Sequence, residues 1–348
     1  MEEVRLLSEI IHGGDVYRNK VNIDFSVSIN PCGVPAKVKD ALTNAIDSLE
    51  KYPDIRCEKL TKAATKMLDV KEEQLVFGNG SSDLFMGIAN AFKPSKVLIA
   101  APSFYGYEYA FLPNAENIVY YFMKEKDDFG ITDDYLNALT DDLDFVVLAN
   151  PNNPTGALID DSLLVKIIET AKSKNIRVIL DECFIEFTEG NHSLVSKITE
   201  YPNLCIIRSF TKIFAIPGVR LGYLISSDLS FNETVKRHLS EWNISAFGQA
   251  AGVACTDCMD YVETSKNVIK EERDFLYDEF KRLGIKAYDS ACNFILIKDI
   301  RKLDEELLKR KILLRNCSNF KGLDEGYFRI AVRTHEENLK LIEALKNL

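Results

Sequence analysis

Residues 204–225 read Leu204-Cys-Ile-Ile207-Arg208-Ser209-Phe-Thr211-Lys212-Ile-Phe-Ala-Ile-Pro-Gly218-Val-Arg220-Leu-Gly-Tyr-Leu-Ile225. Apolar runs bracket the stretch at Leu204–Ile207 and Leu221–Ile225. Near-continuous runs of this kind suit strands buried on both faces. Between them stand hydroxyls at 209 and 211, a lysine beside Phe210 and Ile213-Phe214, and Arg220. Apolar company disfavours the ammonium of Lys212, which suits a nucleophile or a Schiff-base partner. A lysine snorkelling at a surface turn is the plain alternative.

Outward from this stretch the same texture recurs. Further apolar runs occur at Leu75-Val-Phe77, Lys96–Ala100, Phe145–Leu148 and Arg177–Leu180, with helical patterns at Ser81–Phe92 and Asp160–Lys174. Strands alternating with helices predict an α/β fold around a mostly parallel sheet. In open sheets of that kind, ligands bind beyond the carboxyl ends of the strands. Gly78-Asn-Gly80-Ser81-Ser82-Asp83 follows the first run, and its glycines and helix-opening serines can form an anion site or an ordinary turn. Asn150-Pro-Asn-Asn153-Pro-Thr-Gly156 is a rigid loop whose asparagines can reach a ligand. Asp181-Glu182 places an acid at the end of a buried strand, which is costly without a cationic partner; a helix cap or a surface acid is the plain alternative.

Beyond Trp242 the pattern changes. Ser245–Leu283 reads as one long helix. It is followed by a strand at Asn293–Lys298, a helix at Leu303–Lys309, strands at Ile312–Arg315 and Tyr327–Arg333, and a helix from Glu336. The expected organisation is an N-terminal arm over 1–30 packed near the small domain, a large domain over 31–244 and a smaller α+β domain over 245–348.

The chain of 348 residues carries 53 acidic against 43 basic side chains, a net charge of −10. That balance excludes a generally basic nucleic-acid binder while leaving room for a small basic pocket. The eight cysteines are scattered, and Cys255-Thr-Asp-Cys258 has no second pair to complete a metal site, so it reads as two residues on a helix. The acidic start has no long apolar region, and no stretch approaches the roughly 20 apolar residues of a membrane span. The expectation is a cytoplasmic protein with mostly buried thiols, no metal and no membrane partner.

The glycine–serine loop, Asn153, Asp181, Ser209, Lys212 and Arg220, one set per strand end, resemble the fold-type I pyridoxal-phosphate enzymes of the class I/II aminotransferase superfamily. The resemblance implies that Lys212 bonds the cofactor and moves the proton at the substrate's α-carbon. It implies that Asp181 pairs with the protonated pyridine nitrogen and that Asn153 donates to the phenolic oxygen. Gly80, Ser81, Ser82, Ser209 and Arg220 would hold the cofactor phosphate. Phe104 would stack on the ring, with Tyr107 the alternative. Tyr52 would reach the neighbouring subunit's cofactor, which makes a homodimer the expectation. Phe184 departs from the tyrosine common at its position, so one hydrogen bond to the phenolic oxygen is lost.

Within that superfamily the chain is similar to the threonine-phosphate decarboxylases and the histidinol-phosphate aminotransferases. His12-Gly13-Gly14, Asp24–Pro31, Phe184 and Arg315–Leu323 ahead of Phe328–Arg333 lean toward the decarboxylases. The resemblance places His12, Gly13, Asn30 and Arg315 around a substrate phosphate and Arg329 at a carboxylate. Arg333 is secondary. Decarboxylation is the leading expectation and transamination the alternative, because the bond set perpendicular to the cofactor ring is the one broken. A DNA-binding regulator on this fold would carry a further domain ahead of motifs that here begin by residue 12. His192, His238, His335 and the Lys270–Asp274 charge run read as surface features.

Overall fold

The computed structural model describes residues 13–348. Seven strands lie in the order Leu75–Gly78, Gly222–Ile225, Leu204–Ser209, Arg177–Asp181, Phe145–Ala149, Lys96–Ala101, Asn117–Phe122. Gly222–Ile225 runs antiparallel to both neighbours, and every other pair is parallel. Successive side chains on a strand point to opposite faces, and the inner stretches of the central strands are apolar at consecutive positions because both faces are covered. Val97, Ile99, Val147 and Ile179 pack with helices Ser81–Phe92, Gly106–Phe111 and Leu229–Lys236. Leu98, Val146, Val178 and Leu180 join a larger core that continues through Phe184 and Phe294 to Ile330 and Leu341.

The register sets the working edge. Ala149 lies opposite Asp181, Asp181 opposite Ile207, and Ser209 opposite Gly222, which in turn faces Gly78. The antiparallel strand starts where its neighbours finish. Arg220, two residues ahead of it, therefore arrives at the same edge as Asp181 and Ser209.

The helix expected over Asp160–Lys174 spans Asp161–Ser173, with the Asp160 carboxylate accepting from the backbone N–H groups of Ser162 and Leu163. A second, antiparallel sheet is ordered Arg315–Asn316, Tyr327–Ala331, Phe294–Lys298, Lys286–Ala287. Its apolar side chains share a core with Ile269, Leu276 and Phe280 of helix Met259–Arg282 and with Leu341 of helix His335–Lys346. Ile23–Asp24 pairs in parallel with Ile312–Leu313, and the carbonyl of Phe25 accepts from Ala331, so this part of the arm lies along the smaller sheet.

Four local expectations are corrected. The long helix from Ser245 is two helices, Ala246–Thr256 and Met259–Arg282, broken at Asp257-Cys258. The first packs on helices Ala36–Ala45 and Glu58–Leu68, the second on the last helix, and the break redirects the chain between these partners. Cys255 therefore lies in the first helix and Cys258 in the break. The strand over 312–315 splits, because Ile312–Leu313 and Arg315–Asn316 pair with different sheets. The strand Asn117–Phe122 was not anticipated; it is a half-exposed edge strand that lacks the continuous apolar signature of its neighbours.

Among the described residues no helix is long and apolar enough to cross a membrane, and no cluster of side chains suits a metal ion. All eight cysteines are free thiols, and only Cys32 is exposed.

Candidate active site

A cavity of about 230 Å³ opens at the working edge of the large sheet, with Lys212, Asp181 and Arg329 among its walls. Lys212 sits on the short helix Phe210–Ile213, whose start is capped by the Ser209 hydroxyl accepting from Thr211 N–H. Burial depresses its ammonium to about 8, and the nearby Arg329 and Arg220 guanidiniums push in the same direction. Its Nζ lies 5.9 Å from the centre of the Phe184 ring. A lysine so placed is a neutral amine for much of the time near pH 8, the state required of a nucleophile.

Asp181 ends its strand inside the protein. It accepts from the Tyr107 hydroxyl at 2.6 Å and from Cys183 N–H at 2.8 Å. Burial raises its pKa and these donors oppose the rise. Among the described residues no lysine or arginine nitrogen stands within 4 Å of it. The geometry leaves a cationic partner to be supplied from the cavity.

An anion cradle stands beside it. Helix Ser81–Phe92 begins without a side-chain cap, and Gly80 before it has φ +83°. A Cβ at Gly80 would come within 2.5 Å of an Arg220 terminal nitrogen. Glycine is therefore required both by the backbone angle and by the closeness of the guanidinium. Ser81, Ser82, Ser209, Thr211 and Arg220 line the cavity here. Uncapped helix amides, hydroxyls and one arginine suit a phosphate dianion.

Two buried arginines also line the cavity. Arg315 and Arg329 are direct cross-strand partners. Arg329 donates to Asn153 Oδ1 at 2.5 Å and to the Ser26 carbonyl at 2.8 Å. Arg315 donates to the Asn316 carbonyl and to Asn319 Oδ1, and lies over the Phe320 ring at 4.9 Å. Burial pushes Arg329 down to about 10 and Arg315 in the same direction. Among the described residues neither has a carboxylate oxygen within 4 Å. Like charges facing each other across a ladder are destabilising, so this wall is built to receive an anion.

The sequence-derived set is partly gathered here. Gly13, Ser81, Ser82, Phe104, Tyr107, Asn153, Asp181, Phe184, Ser209, Lys212, Arg220, Arg315 and Arg329 all line the cavity. With Oδ1 accepting from Arg329, the Asn153 amide NH₂ is the end that remains to donate. Tyr107 is committed to Asp181 through its hydroxyl, and Phe104 meets it edge-on at 5.7 Å. Asn30 stands away from the cavity wall. Its side chain donates to the Ile213 carbonyl and to Ser265, and its backbone N–H to the Lys212 carbonyl, so it anchors the lysine's segment from behind. Tyr52 is 81% exposed and packs on Trp242 at 5.2 Å, away from this cavity. His12 lies outside the described residues.

Several wall residues were not anticipated, among them Ser28, Cys183 and Phe320. The nearest signal was position, since Cys183 is two residues past Asp181. Behind the wall, Glu182 is fully buried and receives two hydrogen bonds from Arg208 at 2.9 and 2.7 Å, which fixes the adjoining strand ends.

The sequence matches the family Aminotransferase class I and II over residues 20–345. The chain belongs to that family. It is 34% identical to threonine-phosphate decarboxylase of Salmonella typhimurium over 94% of this chain and 91% of the relative. The structure superposes on the histidinol-phosphate aminotransferase of Clostridium acetobutylicum with a TM-score of 0.88 at 34% identity, covering 93% of this chain and 98% of the other. On the L-threonine-O-3-phosphate decarboxylase of Porphyromonas gingivalis the TM-score is 0.83 at 25% identity, covering 93% and 98%. The protein is an enzyme of the class I and II aminotransferase family, and its cofactor is pyridoxal phosphate. The observed walls fit that group: among the described residues Asp181 has no lysine or arginine within 4 Å, the helix start at the anion cradle is uncapped, and Lys212 lines the same cavity.

Proposed function

We propose that this enzyme decarboxylates a phosphorylated amino acid of the threonine-phosphate type. One observation carries the reading. Two buried arginines, free of carboxylate partners among the described residues, stand in cross-strand register and line the same cavity as the anion cradle. Such a wall suits a substrate with two anionic ends, one guanidinium for each. The likeness to threonine-phosphate decarboxylase adds the substrate class.

In this reading Asp181 would hold the ring nitrogen of pyridoxal phosphate, Asn153 its phenolic oxygen, and Ser81, Ser82, Ser209 and Arg220 its phosphate. Gly80 supplies the close backbone approach. When bound, the cofactor supplies an electron sink for the pair left by the bond broken at the substrate's α-carbon. Lys212, whose ammonium burial destabilises, would deliver the proton that takes the carboxylate's place at that carbon. Arg329 orients the carboxylate and Arg315 the phosphate. Phe184 brings no hydroxyl, so the phenolic oxygen relies on Asn153.

A second reading is a histidinol-phosphate aminotransferase, favoured by the superposition on the Clostridium acetobutylicum enzyme. Both readings need a phosphate site. We further propose a homodimer with shared sites. Its support is the exposure of Tyr52 together with Ile46, Leu49 and Ile55.

The test of the arginine wall compares L-threonine O-phosphate with L-threonine. The wild type should prefer the phosphorylated form in kcat/KM by at least about 100-fold, and Arg315→Gln should erase most of that preference. Equal use of both amino acids by the wild type would overturn the reading.

A further inference from the structure

Each oxygen of the Asp181 carboxylate has its own donor. The Tyr107 hydroxyl donates to Oδ2 at 2.6 Å and the Cys183 backbone N–H to Oδ1 at 2.8 Å. The Cys183 thiol, a weaker donor, adds to them. Tyr107 is 1% exposed, and among the described residues no other hydroxyl donates to Asp181. Burial holds the phenol well above its ordinary range, so it stays a donor across neutral pH.

The phenol comes from a separate element. Tyr107 stands in helix Gly106–Phe111, beyond the end of strand Lys96–Ala101. Its ring packs on Phe85 at 4.9 Å and meets Phe104 edge-on, and its backbone N–H donates to the Phe104 carbonyl. A Cβ at Gly106 would come within 2.2 Å of the Phe104 ring, so glycine there lets Phe104 lie against the helix start beside Tyr107. Two aromatic neighbours thus fix where the hydroxyl points.

A hydrogen-bond donor lowers the proton affinity of the carboxylate it binds. Burial is the largest influence on Asp181 and acts the other way; Lys212 is a charged group that also lowers its pKa. Opposite a protonated ring nitrogen, one proton stands between two acceptors. With the phenol in place the carboxylate keeps its charge. Without it, the balance moves toward a neutral acid, which offers the ligand no countercharge.

We propose that Tyr107 is a positioning residue that acts through Asp181, its hydroxyl keeping that carboxylate anionic and aimed at the ring nitrogen of pyridoxal phosphate. This rests on the placement of Asp181 at the ring nitrogen and not on which reaction follows.

The test titrates apoprotein with pyridoxal phosphate and then follows the visible absorbance of the holoenzyme against pH. It compares wild type, Tyr107→Phe, Asp181→Asn and the double variant. Tyr135→Phe controls for the loss of a buried phenol, since the Tyr135 hydroxyl is buried, unpartnered among the described residues and not on the cavity wall. Tyr107→Phe should weaken cofactor binding by about 10-fold. It should also raise the pH at which the absorbance changes, because a ring that has given up its proton draws less charge from the Lys212 nitrogen. In steady-state assays kcat should fall with little change in KM. These effects should vanish when Tyr107→Phe is added to Asp181→Asn, which a merely structural role would not produce. Tyr135→Phe should match wild type throughout. An unshifted absorbance profile in Tyr107→Phe, or an effect of equal size in the Asp181→Asn background, would overturn the role of Tyr107 alone. Unchanged cofactor affinity and absorbance in Asp181→Asn would overturn the placement of Asp181, and the role of Tyr107 with it.

Discussion

Lys212 illustrates how one side chain answers to its whole environment. Its folded pKa of about 8 lies below the ordinary 10.5. Below pH 8 both the folded and unfolded apoprotein carry the charge, and the fold bears the full cost of burying it. Between 8 and 10.5 the unfolded state binds more protons, so this group's contribution to stability rises with pH. Lys212→Met apoprotein should therefore be more stable than wild type by about 3 kcal/mol at pH 7, with the gap narrowing toward pH 10.5. Denaturant titrations at both pH values check this, and a gap independent of pH would contradict it. Asp181 has the complementary task. Asp181→Asn keeps the shape but supplies no charge for a ring nitrogen. Its kcat should fall by at least about 100-fold in steady-state assays, with the melting temperature largely preserved.

At the scale of elements, the strand ends and helix starts were legible because their chemistry is local. Helix Ser81–Phe92 has the bounds expected from its glycine–serine start and apolar spacing. The break at Asp257-Cys258 was not legible, since both flanking segments are good helix sequence and the break answers to packing partners distant in the chain. The edge strand Asn117–Phe122 was hidden because partial exposure dilutes its apolar run. Asn30 misled for a related reason. Its sequence neighbourhood pointed to a ligand, yet the fold turns it to hold the carbonyls at Lys212 and Ile213. Gly80 is the element-scale test. Gly80→Ala combines a positive φ with a clash against Arg220. It should destabilise the protein by about 1 kcal/mol or more and weaken pyridoxal-phosphate binding, as read by thermal melts and by cofactor titration. Unchanged cofactor affinity would show that Arg220 does not depend on that close approach.

For the whole molecule, the acidic total gave no hint of the ligand, because the fold gathers Lys212, Arg220, Arg315 and Arg329 from separate strands around one cavity. Ordered motifs at strand ends made most of that gathering legible. The in-register arginine pair and the Tyr107–Asp181 hydrogen bond required coordinates. A dimer with shared sites makes a separate prediction. Mixing inactive Lys212→Ala with impaired Tyr52→Ala subunits under exchange should recover activity above either parent, and no recovery after proven exchange would contradict shared sites. Decarboxylation is tested most directly by following the products formed from L-threonine O-phosphate by purified holoenzyme. Stoichiometric carbon dioxide is expected with no oxo acid present. Turnover that strictly requires an oxo-acid acceptor, with no carbon dioxide released, would contradict it.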